Sequence, residues 1–293
     1  MSKKKAGRAL EEAEFEEDVI EDDFDEPTVV GSRFDPSLSG STSQQAALTP
    51  AERKARKFEN NHAELARALS VSAFALRSDT PRAAPLHALL SEAPLADLPR
   101  AIEMLALWHS KAVPLPNAPH LTEALVTLCA KLATPSTAVA VLADRKTYGL
   151  DLASTPPPKI ALLFASLRIN GAKLPIEQIA RDAAMALALV ELAKPTDGPS
   201  IRIAQMSTLA ILVDAAAKVG EQSQVDFAKK AQELLASVRK AGVRTLIEDG
   251  TAMASRPRGR LANTLEYLVA AFQTQGLADD AKLFQDVLAS VRY

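Results

Sequence analysis

The 293-residue chain is 47% hydrophobic but only 4% aromatic, so it can bury a sizeable core, and that core is aliphatic and helix-forming rather than sheet-forming. Its net charge of −2 conceals an acidic start: positions 1–50 hold five basic and twelve acidic groups, and the remainder holds 29 basic and 24 acidic ones. That mild basicity falls short of a protein that holds nucleic acid by charge alone, and a single cysteine, Cys129, excludes an internal disulfide framework and suits a reducing compartment.

Residues 1–48 are expected to form a disordered acidic tail. The run EEAEFEEDVIEDDFDE is followed by a stretch rich in Ser, Gly, Thr and Pro, and neither buries enough apolar surface to offset ordering entropy. Within the run, Phe15, Val19, Ile20 and Phe24 recur at near-helical spacing, which marks them as candidates for folding onto a partner. Lys3, Lys4, Lys5 and Arg8 precede no apolar secretory core, and the acids that follow do not suit a standard mitochondrial presequence. The longest apolar run, 183–193, is broken by Glu191 and is too short to cross a bilayer, so no membrane insertion is expected.

Residues 49–293 read as one helical domain. Thr49, Pro50 and Glu52 form a helix start with a capping-box spacing, and the helix runs to about residue 76. It opens with Arg53, Lys54, Arg56 and Lys57, a solvated face, and continues with Leu65, Leu69 and Phe74, which dock. Two shorter helices follow, one around Leu86, Leu89 and Leu90 and one over 98–111 with Ile102, Leu105 and Trp108 inward. Pro114, Pro116 and Pro119 then force an extended link.

The stretch 121–193 carries four helices in succession. Leu121, Leu125, Leu128 and Leu132 line the first, which also holds Cys129 as a small buried residue. Val139, Val141 and Leu142 belong to the second, Ile160, Leu163, Phe164 and Leu167 to the third, and 176–193 is the fourth. Two helical hairpins offset by about 38 residues are the pattern of stacked helical repeats. Further helices are expected over 201–219 and 222–241, ended by Gly220 and Gly242. An irregular segment, 243–259, contains the exposed basic loop SRPRGR, and a last hairpin, 261–275 and 278–291, turns at Gly276. The fold class is therefore all-α: an irregular right-handed helical-repeat solenoid of about five stacked hairpins.

No nucleotide-binding glycine loop, zinc-protease or serine-hydrolase motif is present. His62, His87, His109 and His120 stand singly, so neither a metal nor a cofactor is expected and no residue is assigned a catalytic role. The pairs Asp279/Asp280 and Glu248/Asp249 lie near helix ends, where they favour the helix dipole. The functional candidates are basic. Arg256, Arg258 and Arg260, close in sequence to Arg239, Lys240 and Arg244, offer guanidinium and ammonium groups to RNA phosphates. Arg145 and Lys146, with Arg168 and Lys173, extend that stripe if the hairpins stack in register. The scarcity of aromatics disfavours base stacking as the main mode of contact.

The paired layouts 209–219 with Gly220 and 265–275 with Gly276, each followed by an amphipathic helix, resemble the pentatricopeptide and tetratricopeptide repeat families. Residues 121–152, ending in KTYGLDL, also resemble a pentatricopeptide unit. The resemblance implies a noncatalytic scaffold in an RNA–protein assembly, with RNA and proteins of that assembly as partners. Since pentatricopeptide proteins act chiefly in organelle RNA metabolism and include members of the mitochondrial small ribosomal subunit, it further implies a mitochondrial location. The tetratricopeptide side of the resemblance implies instead a protein–protein adaptor in the cytosol or nucleus.

Overall fold

The computed structural model of the chain describes residues 49–70, 81–111, 114–115, 117–169, 174–193, 198–219 and 221–292, the last span without side chains at 221–223. The acidic tail, with Phe15, Val19, Ile20 and Phe24, lies outside these residues, as do Phe74, Lys173 and Gly220. Thirteen α-helices, one 3-10 turn and no strand occur among the described residues. The fold is all-α.

Helix α1 is Pro50–Leu69. Its start is the expected capping box: the Thr49 amide donates to Glu52 Oε2 at 2.7 Å, and the Glu52 amide donates to Thr49 Oγ1 at 3.3 Å. Of its opening cations, Lys57 is paired with Glu92 at 3.0 Å. Next come α2 (Ala83–Glu92), the 3-10 turn Leu95–Asp97 and α3 (Leu98–Ser110). The four helices expected in the centre are α4 (Ala118–Lys131), α5 (Pro135–Ala143), α7 (Pro157–Ile169) and α8 (Ile176–Ala193), and a short α6 (Arg145–Tyr148) stands between the two pairs. The C-terminal part comprises α9 (Pro199–Lys218), α10 (Glu221–Ala241), α11 (Val243–Thr251), α12 (Ser255–Thr274) and α13 (Ala278–Val291). Proline sits in the first turn of α4, α5 and α9, where its missing N–H would have no partner in any case.

Helices α2, α4, α7 and α9 form a row in which each touches the next, and α5 and α8 touch on the neighbouring side. Consecutive helices pair along the chain: α4 with α5, α7 with α8, α9 with α10 and α12 with α13. Helix α9 is the hub. It contacts α7, α8, α10, α11 and α12, and thirteen of its 20 residues are buried. Its length and apolarity would also suffice to cross a bilayer, but 72% of that stretch is buried by the surrounding helices. Helix α12 packs on both α9 and the much earlier α7, a contact that a strictly nearest-neighbour stack of hairpins does not make.

The core is built from Leu, Ala, Ile and Val, with three large aromatic anchors, Trp108, Phe164 and Phe284, buried almost completely. Trp108 is the packing anchor its spacing predicts. Phe284 of α13 stacks on Phe272 of α12 with ring centroids 5.6 Å apart, which fixes how the last two helices meet. Gly250 lets α11 approach α13 closely, since a Cβ there would fall 2.5 Å from Val291 Cγ2. Cys129 is fully buried, and burial pushes its thiol up to about 12.

The structure departs from two sequence expectations. The segment 243–259 is not an irregular loop: it forms α11 and the start of α12, and SRPRGR occupies the first two turns of α12. Pro257 is the third residue of that helix, so it breaks no intrahelical bond, and Gly259 faces open space. The carboxylate pairs are also more than dipole partners. Asp249 and Asp280 are buried and receive Arg202 and Arg239 respectively.

Candidate functional site

The basic residues singled out in the sequence are distributed unevenly between structure and solvent. The Arg258 guanidinium donates to the carbonyls of Thr251 and Met253 at 2.8 and 2.9 Å, so it closes the C-terminal end of α11, where carbonyls lack intrahelical partners. Arg239 is engaged by buried Asp280, Arg244 pairs with Glu248 one turn away at 3.0 Å, and Arg145 pairs with Asp151 at 3.0 Å. Arg168 donates twice to the carbonyl of Asn263 at 3.2 Å and lies 5.3 Å over the Tyr267 ring. Burial holds the Arg168 guanidinium below its ordinary range. Arg260 is half-buried and is lowered by burial and then by neighbouring Arg256. Lys146, Lys240 and Arg256 are exposed and form no ion pair with the described residues. Three of these cations, Arg239, Arg258 and Arg168, therefore tie one helix to another.

Convergent polar groups occur instead on the row α2, α4 and α7. Along α2, His87 and Ser91 stand one turn apart, with Ser91 Oγ 3.3 Å from His87 Nδ1. On α4, His120, Glu123, Thr127 and Lys131 follow one another at helical spacing and form the polar stripe of a helix that is otherwise apolar apart from buried Thr122. Lys159, in the first turn of α7, reaches across to donate to Thr127 Oγ1 at 2.8 Å, while Thr127 donates to the Glu123 carbonyl at 2.7 Å. These groups line a recess of about 240 Å³ floored by Ala124.

The recess is rich in donors. Two ammonium groups, two imidazoles and the Ser91 hydroxyl meet a single carboxylate, Glu123, an arrangement that suits phosphate or carboxylate oxygens. Ser91 and His87 alone have the makings of a nucleophile and base, but no hydrogen bond joins either histidine to a carboxylate among the described residues, and an orienting acid is what completes such a relay. No group of three or more His, Cys, Asp or Glu side chains is placed to hold a metal among the described residues.

Sequence reading did not find this site. Its two histidines stand singly in the chain, and only the contacts of α2 with α4 and of α4 with α7 bring them to Lys159. The legible signal was the stripe His120, Glu123, Thr127, Lys131, four polar residues on one face of a helix whose other faces are buried. Comparison with protein-family models, curated proteins and solved structures finds no match to this chain.

Proposed function

We propose that the chain is a noncatalytic helical-repeat scaffold of a ribonucleoprotein assembly, which holds an RNA strand through its phosphates along the face made by α2, α4 and α7. The supporting observation is the donor-rich recess at Lys131, Lys159, His87 and His120. Side chains on successive helices offer contacts at intervals, which is what an extended polyanion needs and a compact substrate does not. Under this reading the hairpins α4/α5, α7/α8 and α9/α10 are irregular units of a right-handed solenoid, with α12 folding back over α7 and α9 to close its end. Membership of a mitochondrial ribosome-associated assembly rests on the pentatricopeptide resemblance.

The test is photo-crosslinking of the full-length chain to mixed-sequence single-stranded RNA, followed by peptide mapping. The reading expects crosslinks within 83–92, 118–131 and the first turn of α7. Crosslinks confined to 239–260 would move the interface to the C-terminal helices. A chain indifferent to RNA at low salt would be assigned instead to the tetratricopeptide-like class of protein adaptors in the cytosol or nucleus. Fractionation of cells expressing the full-length chain tests the location, and a purely cytosolic result would remove the mitochondrial part.

A further inference from the structure

A second concavity lies away from the polar recess. Helices α3 and α5 scarcely touch each other, and between them runs a groove of about 670 Å³. Its walls are two helical ridges. One rises from Leu95 through Leu98 and Ile102 to Ala106, and the other from Thr134 through Thr137 to Val141, with Asp144 and Tyr148 beyond the end of α5. Each ridge advances by three or four residues at a step, so each wall is one face of a helix, about 17 Å long on the α3 side and about 11 Å on the α5 side at the rise of an α-helix. The short α6 contacts both α3 and α5 and closes one end.

The groove is mostly apolar, and Leu95 at its rim is 56% exposed, one of few large apolar side chains left in solvent among the described residues. The only charged residues in its lining are acids, Glu103 on α3 and Asp144 between α5 and α6. A trough between two separated helices has the shape that a third helix fills by ridge-into-groove packing. An apolar floor with carboxylates at the edge selects the character of that helix.

We propose that this groove docks an amphipathic basic helix of a partner protein, with aliphatic side chains against the exposed Leu95, Pro99 and Ala140 and a cation toward each of Glu103 and Asp144. The site is separate from the polar recess, shares no residue with it, and stands whether or not the chain binds RNA. On an assembled scaffold it would serve as the protein-facing side.

The test uses the full-length chain and two labelled helix-forming peptides of about 18 residues, one of leucine and lysine and one of leucine and glutamate. Binding is followed by fluorescence anisotropy and its position by amide hydrogen exchange. The Leu/Lys peptide is expected to bind and to slow exchange within 98–106 and 137–148. Ala140→Trp, which fills the groove from an exposed position of α5, weakens binding at least about tenfold, and so does Glu103→Lys. The second variant alters only an exposed side chain and leaves in place Asp144, whose Oδ1 accepts the Thr147 amide at 3.1 Å at the start of α6, so it decides the matter if the tryptophan perturbs α5, as judged by circular dichroism. The proposal is overturned if no binding occurs at about 1 mM peptide, if both variants bind as the parent does, if the Leu/Glu peptide binds equally well, or if protection appears only elsewhere, as it would for capture by the acidic residues 11–26.

Discussion

Arg202 of α9 and Asp249 of α11 form a two-pronged ion pair inside the fold, with Nε and Nη2 of the guanidinium directed at the two carboxylate oxygens and both side chains almost fully shielded from water. The pair ties the hub helix to a nine-residue helix that otherwise approaches it at few positions. Removing the guanidinium leaves the Asp249 carboxylate charged in a dry site, which costs far more than the pair itself contributes. Arg202→Met is expected to destabilise the chain by about 3–5 kcal/mol. Replacing both residues by apolar ones of similar size is expected to cost clearly less. Urea unfolding of the two variants checks this, and equal losses would mean that the pair is not the tie between α9 and α11.

Helices α4 and α12 end in the same hydrogen-bonded motif with different residues at its left-handed position. After α4, the Thr134 amide donates to Cys129 O at 2.9 Å and the Ala133 amide to Ala130 O at 3.3 Å, with Ala133 at φ 58°. After α12, Leu277 donates to Phe272 O at 2.9 Å and Gly276 to Gln273 O at 3.1 Å, with Gly276 at φ 72°. This is the arrangement in which glycine is favoured, because an alanine Cβ crowds the neighbouring carbonyl. Ala133→Gly is therefore expected to stabilise and Gly276→Ala to destabilise, each by about 1 kcal/mol. Thermal melting of the two single variants measures both, and shifts of the same sign would contradict it.

Tyr267 donates to Asp214 Oδ1 at 2.8 Å beneath the Arg168 guanidinium. Burial first, and then this bond to a carboxylate, push the phenol above its ordinary range. The fold thus favours the neutral phenol. Its contribution to stability is complete below the ordinary phenol value of about 10 and is lost as pH rises through the higher folded value. The wild type should lose stability between neutral pH and about pH 11 by more than Tyr267→Phe does. Parallel denaturant titrations at the two pH values would show equal losses if the phenol were unperturbed.

Much of the helical layout was legible because its signals are local. Thr49, Pro50 and Glu52 mark the start of α1, the leucine spacing of α4 and the Ile160 to Leu167 spacing of α7 mark core faces, and Gly242 and Gly276 mark stops, all read within one or two turns of chain. The start of α12 was misread because Pro257 and Gly259 look like breakers unless their position in the first two turns is known. The roles of Arg239, Arg258 and Arg202 were hidden for a different reason. Two of their partners, Asp280 and Asp249, lie 41 and 47 residues away in sequence, and local spacing carries no information about which distant helix turns a charge inward. The polar recess shares that limit, since it exists only where α2, α4 and α7 meet.

The central claim is that RNA phosphates lie on the α2, α4 and α7 face, and salt dependence tests it most directly. Binding of the full-length chain to mixed-sequence single-stranded RNA should weaken linearly on logarithmic axes as salt rises. Lys131→Ala with Lys159→Ala should reduce the magnitude of that slope by about 1.4, the value for two lost phosphate contacts on a single strand. Arg258→Ala, which removes a helix-closing side chain, should leave the slope unchanged. An unaltered slope in the double lysine variant, or no RNA binding at low salt, would contradict the account.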